Sequence, residues 1–274
     1  MDSLRSEYEY ADSYRDLLQQ AIFTNALHGS EYIHTPEMYP HPLVTHWNGL
    51  DLEDTYLKNL KNHFKRKQLI RWGWIDSNIE YHLNSWGFRS QREFSTVTDP
   101  SLVVMGCSFT FGTGLHQNQL WGELLADSLG LQLINLGTPG HGLSLSTQWL
   151  LLEGRTQIIN PRAIVIYVPP PGRISWVESA HGYAIGNTYM MTGFDTYPRV
   201  INHIAVNAFM DYVKNYNTIC LWAQSRGIPV HVFTEVQGNV EVFGLARDLQ
   251  HHGAGWHRIA AKIMYKQVQA NKNA

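Results

Sequence analysis

Apolar positions follow two regimes along the chain. From residue 101 onward, short apolar runs alternate with longer stretches of helical spacing, the pattern of a parallel sheet with crossover helices. Leu102-Val103-Val104-Met105 reads as a buried strand, residues 119–129 as a helix, 131–136 as the next strand, 144–158 as a helix and 163–168 as a third strand. A long helix over 205–226 closes at Gly227, a favourable C-terminal cap, and residues 229–233 supply a fourth strand. The last helix begins near Gly255 and runs through Ile259, Ala260, Ile263 and Met264, with Lys266 towards its C-terminal end.

Before residue 101 the spacing is different. Leu17, Leu18, Ala21, Ile22 and Leu27 recur at near-helical intervals and predict an amphipathic helix over 12–27. Residues 28–48 mix histidines, aromatics and three prolines, which predicts an irregular loop. Its His34, His41 and His46 have no helical pair spacing and no cysteine beside them, so no metal site is expected. Residues 51–68 read as a second helix leading into the basic run Lys61, His63, Lys65, Arg66, Lys67 and Arg71, a solvated face by default. Residues 81–90 (YHLNSWGFRS) read as a compact turn just before the main domain. The division expected is therefore a mainly helical N-terminal extension over 1–95 and an α/β domain over 96–274.

Composition narrows the function classes. The 274 residues are 44% hydrophobic, enough for one generous core, or one core plus a modest accessory part. Lys and Arg number 21 against 23 acidic residues, so no global field draws in nucleic acid. Cys107 and Cys220 form no disulfide framework, which suggests a reducing compartment. The first twenty residues carry early acids and no apolar leader, and no run reaches the roughly 18 apolar residues that span a bilayer. A cytoplasmic chain without a membrane span is expected. Nine Trp and fourteen Tyr read chiefly as large core residues, although aromatic surfaces also stack on sugars.

The chemistry begins where the first strand runs into GCSFTFGTG, residues 106–114. That position puts the Ser108 hydroxyl at the C-terminal edge of a parallel sheet, with Gly106 and Gly112 permitting tight turns. No GxGxxG and no phosphate-loop Lys-Ser or Lys-Thr is present, so no nucleotide cofactor is expected. A serine nucleophile needs a base held in its tautomer by an acid. Asp248 and His251, three apart in the loop before the final helix, offer that pair. Cys107 reads as a small buried apolar residue, and His252 and His257 as packing or surface residues.

These blocks resemble the SGNH (GDSL-like) hydrolase family over about residues 84–261. Gly106-Cys107-Ser108-Phe109-Thr110-Phe111-Gly112 matches its serine block, with Cys107 where the family usually has Asp. Asn135-Leu136-Gly137-Thr138-Pro139-Gly140 matches its Asn-x-Gly-x-x-Gly block. DLQHHGAGWHRIAAKI matches its terminal DxxH block, with His257 and Ile259-Ala260 following, and NSWGFR at 84–89 is similar to a segment that precedes the serine block in some members. The family's Gly-x-Asn-Asp block has no counterpart: Val168-Pro169-Pro170-Pro171-Gly172-Arg173 stands there without an Asn. Removing one oxyanion donor typically costs on the order of 100- to 1000-fold in turnover. Arg173 is a candidate replacement; Asn187 and Asn202 are alternatives.

The resemblance implies an α/β fold, a three-layer flavodoxin-like parallel sheet flanked by helices, and a serine esterase or acylhydrolase with Ser108, His251 and Asp248 as its triad. It implies an oxyanion hole from the Ser108 and Gly140 amides, with Arg173 beside them, and neither cofactor nor metal. An aromatic insert over 175–197, with Trp176, Tyr183, Tyr189, Phe194 and Tyr197, suits an O-acylated carbohydrate such as an O-acetylated one; a lipid acyl chain is the other candidate. The alternative class is a hydrolase-derived binding or structural protein with weakened catalysis. In that case the N-terminal region would carry contacts with a partner or with further copies.

Overall fold

Two short strands, β1 (Leu43–Thr45) and β2 (Tyr81–Leu83), pair antiparallel with Thr45 opposite Tyr81 and bracket two helices, α1 (Glu53–Lys61) and α2 (His63–Arg71). The single helix expected over 51–68 is thus two, and Asn62 is the reason. Its backbone is extended (φ −86°, ψ 119°), and its side-chain oxygen accepts the Phe64 and Lys65 N–H groups at 3.1 Å, ending one helix while capping the next. Leu69 is the buried residue of α2, whose cations stand in solvent.

This computed structural model describes residues 43–84, 87–97, 100–156, 161–170, 173, 198–234 and 236–270. The helix expected over 12–27, most of the loop over 28–48 and the aromatic insert over 175–197 lie outside the described residues. Two compact units divide the chain, residues 1–35 and 36–274, and the described residues belong to the second.

The remaining elements follow in chain order: β3 (Ser101–Met105), α3 (Ser108–Phe111), α4 (Trp121–Leu129), β4 (Gln132–Asn135), α5 (Ser144–Thr156), β5 (Pro161–Tyr167), α6 (Pro198–Gln224), β6 (Val230–Phe233), α7 (Val240–Phe243) and α8 (Ala254–Ala270). The four later strands make one parallel sheet in the order β4-β3-β5-β6. Counted within the sheet this is 2-1-3-4, the flavodoxin-like order, and the switch point falls between the C-terminal ends of β3 and β5. The expected α/β class is the observed one. The long helix starts at Pro198 rather than 205, where a proline with its fixed φ suits the first helical turn.

Strand β3 is buried at every position, as a central parallel strand covered on both faces must be. On one face Val103, Met105, Ile134, Ile164 and Ile166 pack against Trp149 and Leu150 of α5 and Ile219 and Trp222 of α6. On the other, Leu102, Val104 and Val165 meet Trp121 and Leu125 of α4 and Trp256, Ala260 and Met264 of α8. Residues before the sheet join the same unit. Phe88, Phe94 and Val97 enter the first layer, while Leu69, Trp74, Ile79, Tyr81 and Leu83 form a third cluster with Phe111, Leu115, Leu120 and Ala246. Among the described residues no helix is long and apolar enough to cross a membrane, and no three His, Cys, Asp or Glu side chains gather where a metal ion could be held.

Candidate active site

The backbone leaving β3 turns sharply into α3, and Gly106 makes the turn. Its φ is +154°, and a Cβ there would stand 2.3 Å from Thr110 Oγ1 and 2.8 Å from the Tyr167 carbonyl oxygen, so no side chain fits. Cys107 follows in extended conformation, fully buried, its carbonyl accepting the Thr110 and Phe111 N–H groups at 2.9 Å. Ser108 then opens α3 with 7% of its surface exposed. Gly112, left-handed at φ +83°, ends the helix and donates its N–H to the Ser108 carbonyl at 2.8 Å.

The second block is bolted to this turn. Asn135 Nδ2 donates to the Thr110 carbonyl at 3.1 Å while its Oδ1 accepts the Gly137 N–H at 2.9 Å. Thr138 N–H donates to the Gly106 carbonyl at 3.0 Å. Gly140 stands further along the same loop at φ +80°. Among the described residues neither the Ser108 nor the Gly140 N–H has a hydrogen-bond acceptor.

Asp248 and His251 sit in the turn before α8. Asp248 Oδ1 accepts the Gln250 and His251 N–H groups, both at 3.0 Å, and Ala246 N–H donates to the His251 carbonyl at 3.0 Å, which closes the turn. Between them Leu249 holds φ at +58°, a strained conformation for a branched side chain. His251 Nδ1 lies 2.5 Å from Asp248 Oδ2, and His251 Nε2 lies 2.8 Å from Ser108 Oγ. With Nδ1–H donating to the carboxylate, Nε2 is left to accept the serine proton. Burial by itself raises the Asp248 carboxyl, but the hydrogen bond and charge of His251 and the two backbone N–H groups outweigh it and hold Asp248 below the usual carboxylate range.

Aromatic rings line one side. Phe109, half-buried beside Ser108, stands edge-on to His251 at 5.1 Å and packs on His252, Tyr167 and Trp256. His252 is enclosed by Phe109, Phe243 and Trp256; burial, then the charge of His251, lowers its pKa. His257 is buried against α4, its Nδ1 accepting the Trp121 N–H at 3.0 Å, and burial pushes its pKa down to about 3.

Arg173, expected beside the oxyanion, donates from Nη1 to the carbonyl of His141, the residue after Gly140, at 3.1 Å. It makes no hydrogen bond to Ser108, His251 or Asp248 among the described residues. Asn187 and the side chain of Asn202 lie outside the described residues. Two arginines to which the motif reading gave no role, Arg89 at the end of NSWGFR and Arg247, are buried here. Arg89 donates to the carbonyls of Phe111, Gly112 and Leu115 around the end of α3, and Arg247 directly precedes Asp248. Their neighbours in the matched motifs were a signal; a buried role for a cation has none in spacing alone.

No family model matches the chain, and no curated protein matches it. Among solved structures it is similar to an acetyl xylan esterase (Est2A) from the rumen bacterium Butyrivibrio proteoclasticus, at 14% identity and a TM-score of 0.38 over 64% of each chain. It is also similar to a carbohydrate esterase family 2 enzyme with a carbohydrate binding domain from Corynascus thermopiles (Myceliophthora fergusii), at 14% identity and a TM-score of 0.37 over 64% of this chain and 67% of that one. The psychrotrophic esterase EstA from Pseudoalteromonas sp. is similar at 15% identity and a TM-score of 0.34, over 64% of this chain and 100% of that one. The chain spans 64% of the length of the first of these. Likenesses this distant leave any activity to be argued from the site itself.

Proposed function

We propose that the protein is a serine esterase or acylhydrolase acting on O-acyl esters. The observation that carries the reading is the run of contacts from Ser108 Oγ to His251 Nε2 at 2.8 Å and from His251 Nδ1 to Asp248 Oδ2 at 2.5 Å, all three side chains buried. Ser108 Oγ attacks the ester carbonyl as His251 Nε2 takes its proton, and the imidazolium is stabilised by Asp248. The tetrahedral oxyanion is held by the Ser108 and Gly140 amides. His251 returns the proton to the leaving alkoxide, which departs as the alcohol. Water, deprotonated by His251, then attacks the acyl-enzyme and releases the carboxylic acid, returning the serine proton. Arg173, whose Nη1 donates at 3.1 Å to the carbonyl of His141, the residue after Gly140, is the proposed third oxyanion donor.

The substrate class that fits best is an O-acetylated carbohydrate. Phe109, half-buried next to Ser108 in the chain and 5.1 Å from the His251 ring, supports this, because aromatic rings at a site stack on sugar rings. The test is fluorophosphonate labelling of the purified protein, with peptide mass spectrometry to locate the adduct. A phosphonyl adduct on Ser108 that His251→Ala loses is the expected result. A folded protein that takes no adduct overturns the hydrolase reading in favour of the binding or structural class. Acetylated sugars hydrolysed no faster than longer-chain aryl esters would reject the carbohydrate assignment.

A further inference from the structure

The turn that carries Asp248 and His251 is held from outside by residues far earlier in the chain. Arg247 is 2% exposed, and each of its three guanidinium nitrogens donates a hydrogen bond. Nε and Nη2 donate to the Asp51 carboxylate at 3.0 and 2.7 Å, Nη1 to the Ser77 carbonyl at 3.1 Å and Nη2 to the His46 carbonyl at 2.5 Å. The Trp47 ring covers it at 3.9 Å. Asp51 Oδ2 also accepts the Tyr81 O–H at 2.6 Å, and the Tyr81 oxygen accepts the Gly114 N–H at 2.8 Å. Gly114 closes the circuit, since its carbonyl accepts the Arg247 N–H at 3.0 Å.

Gly114 belongs to the loop that follows α3, the helix that opens with Ser108. A Cβ on it would lie 2.9 Å from Ala246 Cβ and 3.0 Å from Arg247 N, so the two loops touch backbone to backbone. One ring of contacts therefore joins the serine loop to the residue before Asp248. Three features argue that this ring does more than fill space. A buried ion pair is a poor stabiliser compared with apolar packing of the same volume. Leu249, in the next residue but one after Arg247, holds a strained backbone that persists only when its surroundings over-determine it. Finally, Arg247 and Asp248 share a peptide bond, so fixing the first on both side chain and N–H fixes the second.

We propose that Asp51 and Tyr81 are positioning residues of the Ser108 site, which act through Arg247 and Gly114 to hold the Asp248–His251 turn at proton-transfer distance from Ser108. This rests on the hydrolase reading above. Neither residue touches the reacting atoms.

The test uses the full chain, an aryl acetate as substrate and circular dichroism to fix a temperature at which each variant is folded. Tyr81→Phe keeps the ring that stacks on Phe111 and removes only the hydroxyl link; its kcat is expected to fall about 10-fold with KM within about twofold. Asp51→Asn is expected to lower kcat about 100-fold. In an Asp248→Asn background, where the wrongly held imidazole already limits turnover, each substitution is expected to add less than about twofold. A Tyr81→Phe variant with the parent's kcat, or losses that multiply with Asp248→Asn, would overturn the proposal. Because Asp51→Asn strands a buried guanidinium, Tyr81→Phe decides the matter if that variant does not fold. If the parent neither turns over ester nor takes an adduct, the hydrolase reading fails separately. Positioning is then read from the His251 Nδ1–H proton resonance, expected to broaden or vanish in Tyr81→Phe; an unchanged resonance would overturn the proposal without any activity assay.

Discussion

Arg89 donates to the carbonyl oxygen of Gly112 at 2.6 Å, and the same guanidinium reaches Leu115 O at 2.7 Å and Phe111 O at 3.2 Å. These carbonyls lie where α3 ends, a helix too short to satisfy its own last acceptors. Burial draws the Arg89 guanidinium down to about 10, so it stays charged at neutral pH. Arg89→Met strips those carbonyls of their donor and is expected to cost about 2–4 kcal/mol in urea unfolding. Arg89→Lys recovers only part of that, since an ammonium cannot present the same fork. A Met variant as stable as the parent would show that water serves those oxygens equally well.

Gly137 offers a second point of leverage on the helix that opens with Ser108. A Cβ there would stand 2.5 Å from Phe111 N and 2.8 Å from the Thr110 carbonyl carbon, backbone atoms that cannot swing aside. Gly137→Ala is expected to destabilise by about 1–3 kcal/mol and, by pushing α3 from its place, to slow fluorophosphonate labelling of Ser108 by on the order of 100-fold. Labelling at the parent rate would mean that α3 tolerates the shift.

Asp248→Asn is expected to lower kcat by about 10³- to 10⁴-fold with the fold retained, because the amide cannot hold the imidazole in its working tautomer. The same variant carries a stability signature. The folded carboxyl titrates below its unfolded value, so its contribution is present above the unfolded pKa and is lost as pH falls through the folded one. Removing the carboxylate flattens that acid limb. An acid unfolding profile identical to the parent's would contradict it.

His257 predicts a separate pH dependence, at milder acidity. Its pKa is depressed to about 3 by burial first, and the unfolded imidazole titrates near 6.5, so the unfolded state binds the extra proton between these values. Stability is therefore full above about pH 6.5 and declines as pH falls towards 3. His257→Asn keeps an acceptor for the Trp121 N–H without the titration. It is expected to reduce the slope of unfolding free energy against pH by up to about 1.4 kcal/mol per unit between pH 4 and 6. His141, lowered to about 4 by burial and then by Arg173, contributes a slope of the same sign that the variant leaves in place.

The four strands of the parallel sheet were legible because they are short apolar runs bounded by glycine and proline, and a parallel sheet buries both faces of such runs, whereas β1 and β2, three residues each, lie where a loop and a turn were expected. The order of those strands, and so the crevice at the β3–β5 switch, was legible only through the resemblance. Asp248 and His251 were readable because three residues and one turn bring them together. The helix over 51–68 was misjudged because Asn62 favours a cap as readily as a helix interior, and local spacing cannot choose between them. Asp51 was unreadable for another reason. An acid at the start of a helical run normally belongs to solvent, and its pairing with Arg247, 196 residues away, is a property of the packed chain.

That separation bears on how the molecule forms. The Asp51–Arg247 contact closes a span of 196 residues and the Ser108–His251 contact one of 143, whereas the β3–β4 pairing sets Leu102 beside Leu133, 31 residues on, and the β5–β6 pairing sets Ile164 beside Val230, 66 residues on. Loop-closure entropy must be met before such distant contacts give anything back, so ladders between neighbours gain first and the two long closures last. During refolding, tryptophan fluorescence from the buried sheet layers would then recover ahead of fluorophosphonate reactivity at Ser108, and the interval between them would measure how long the chain exists as a folded sheet without the Ser108–His251 contact.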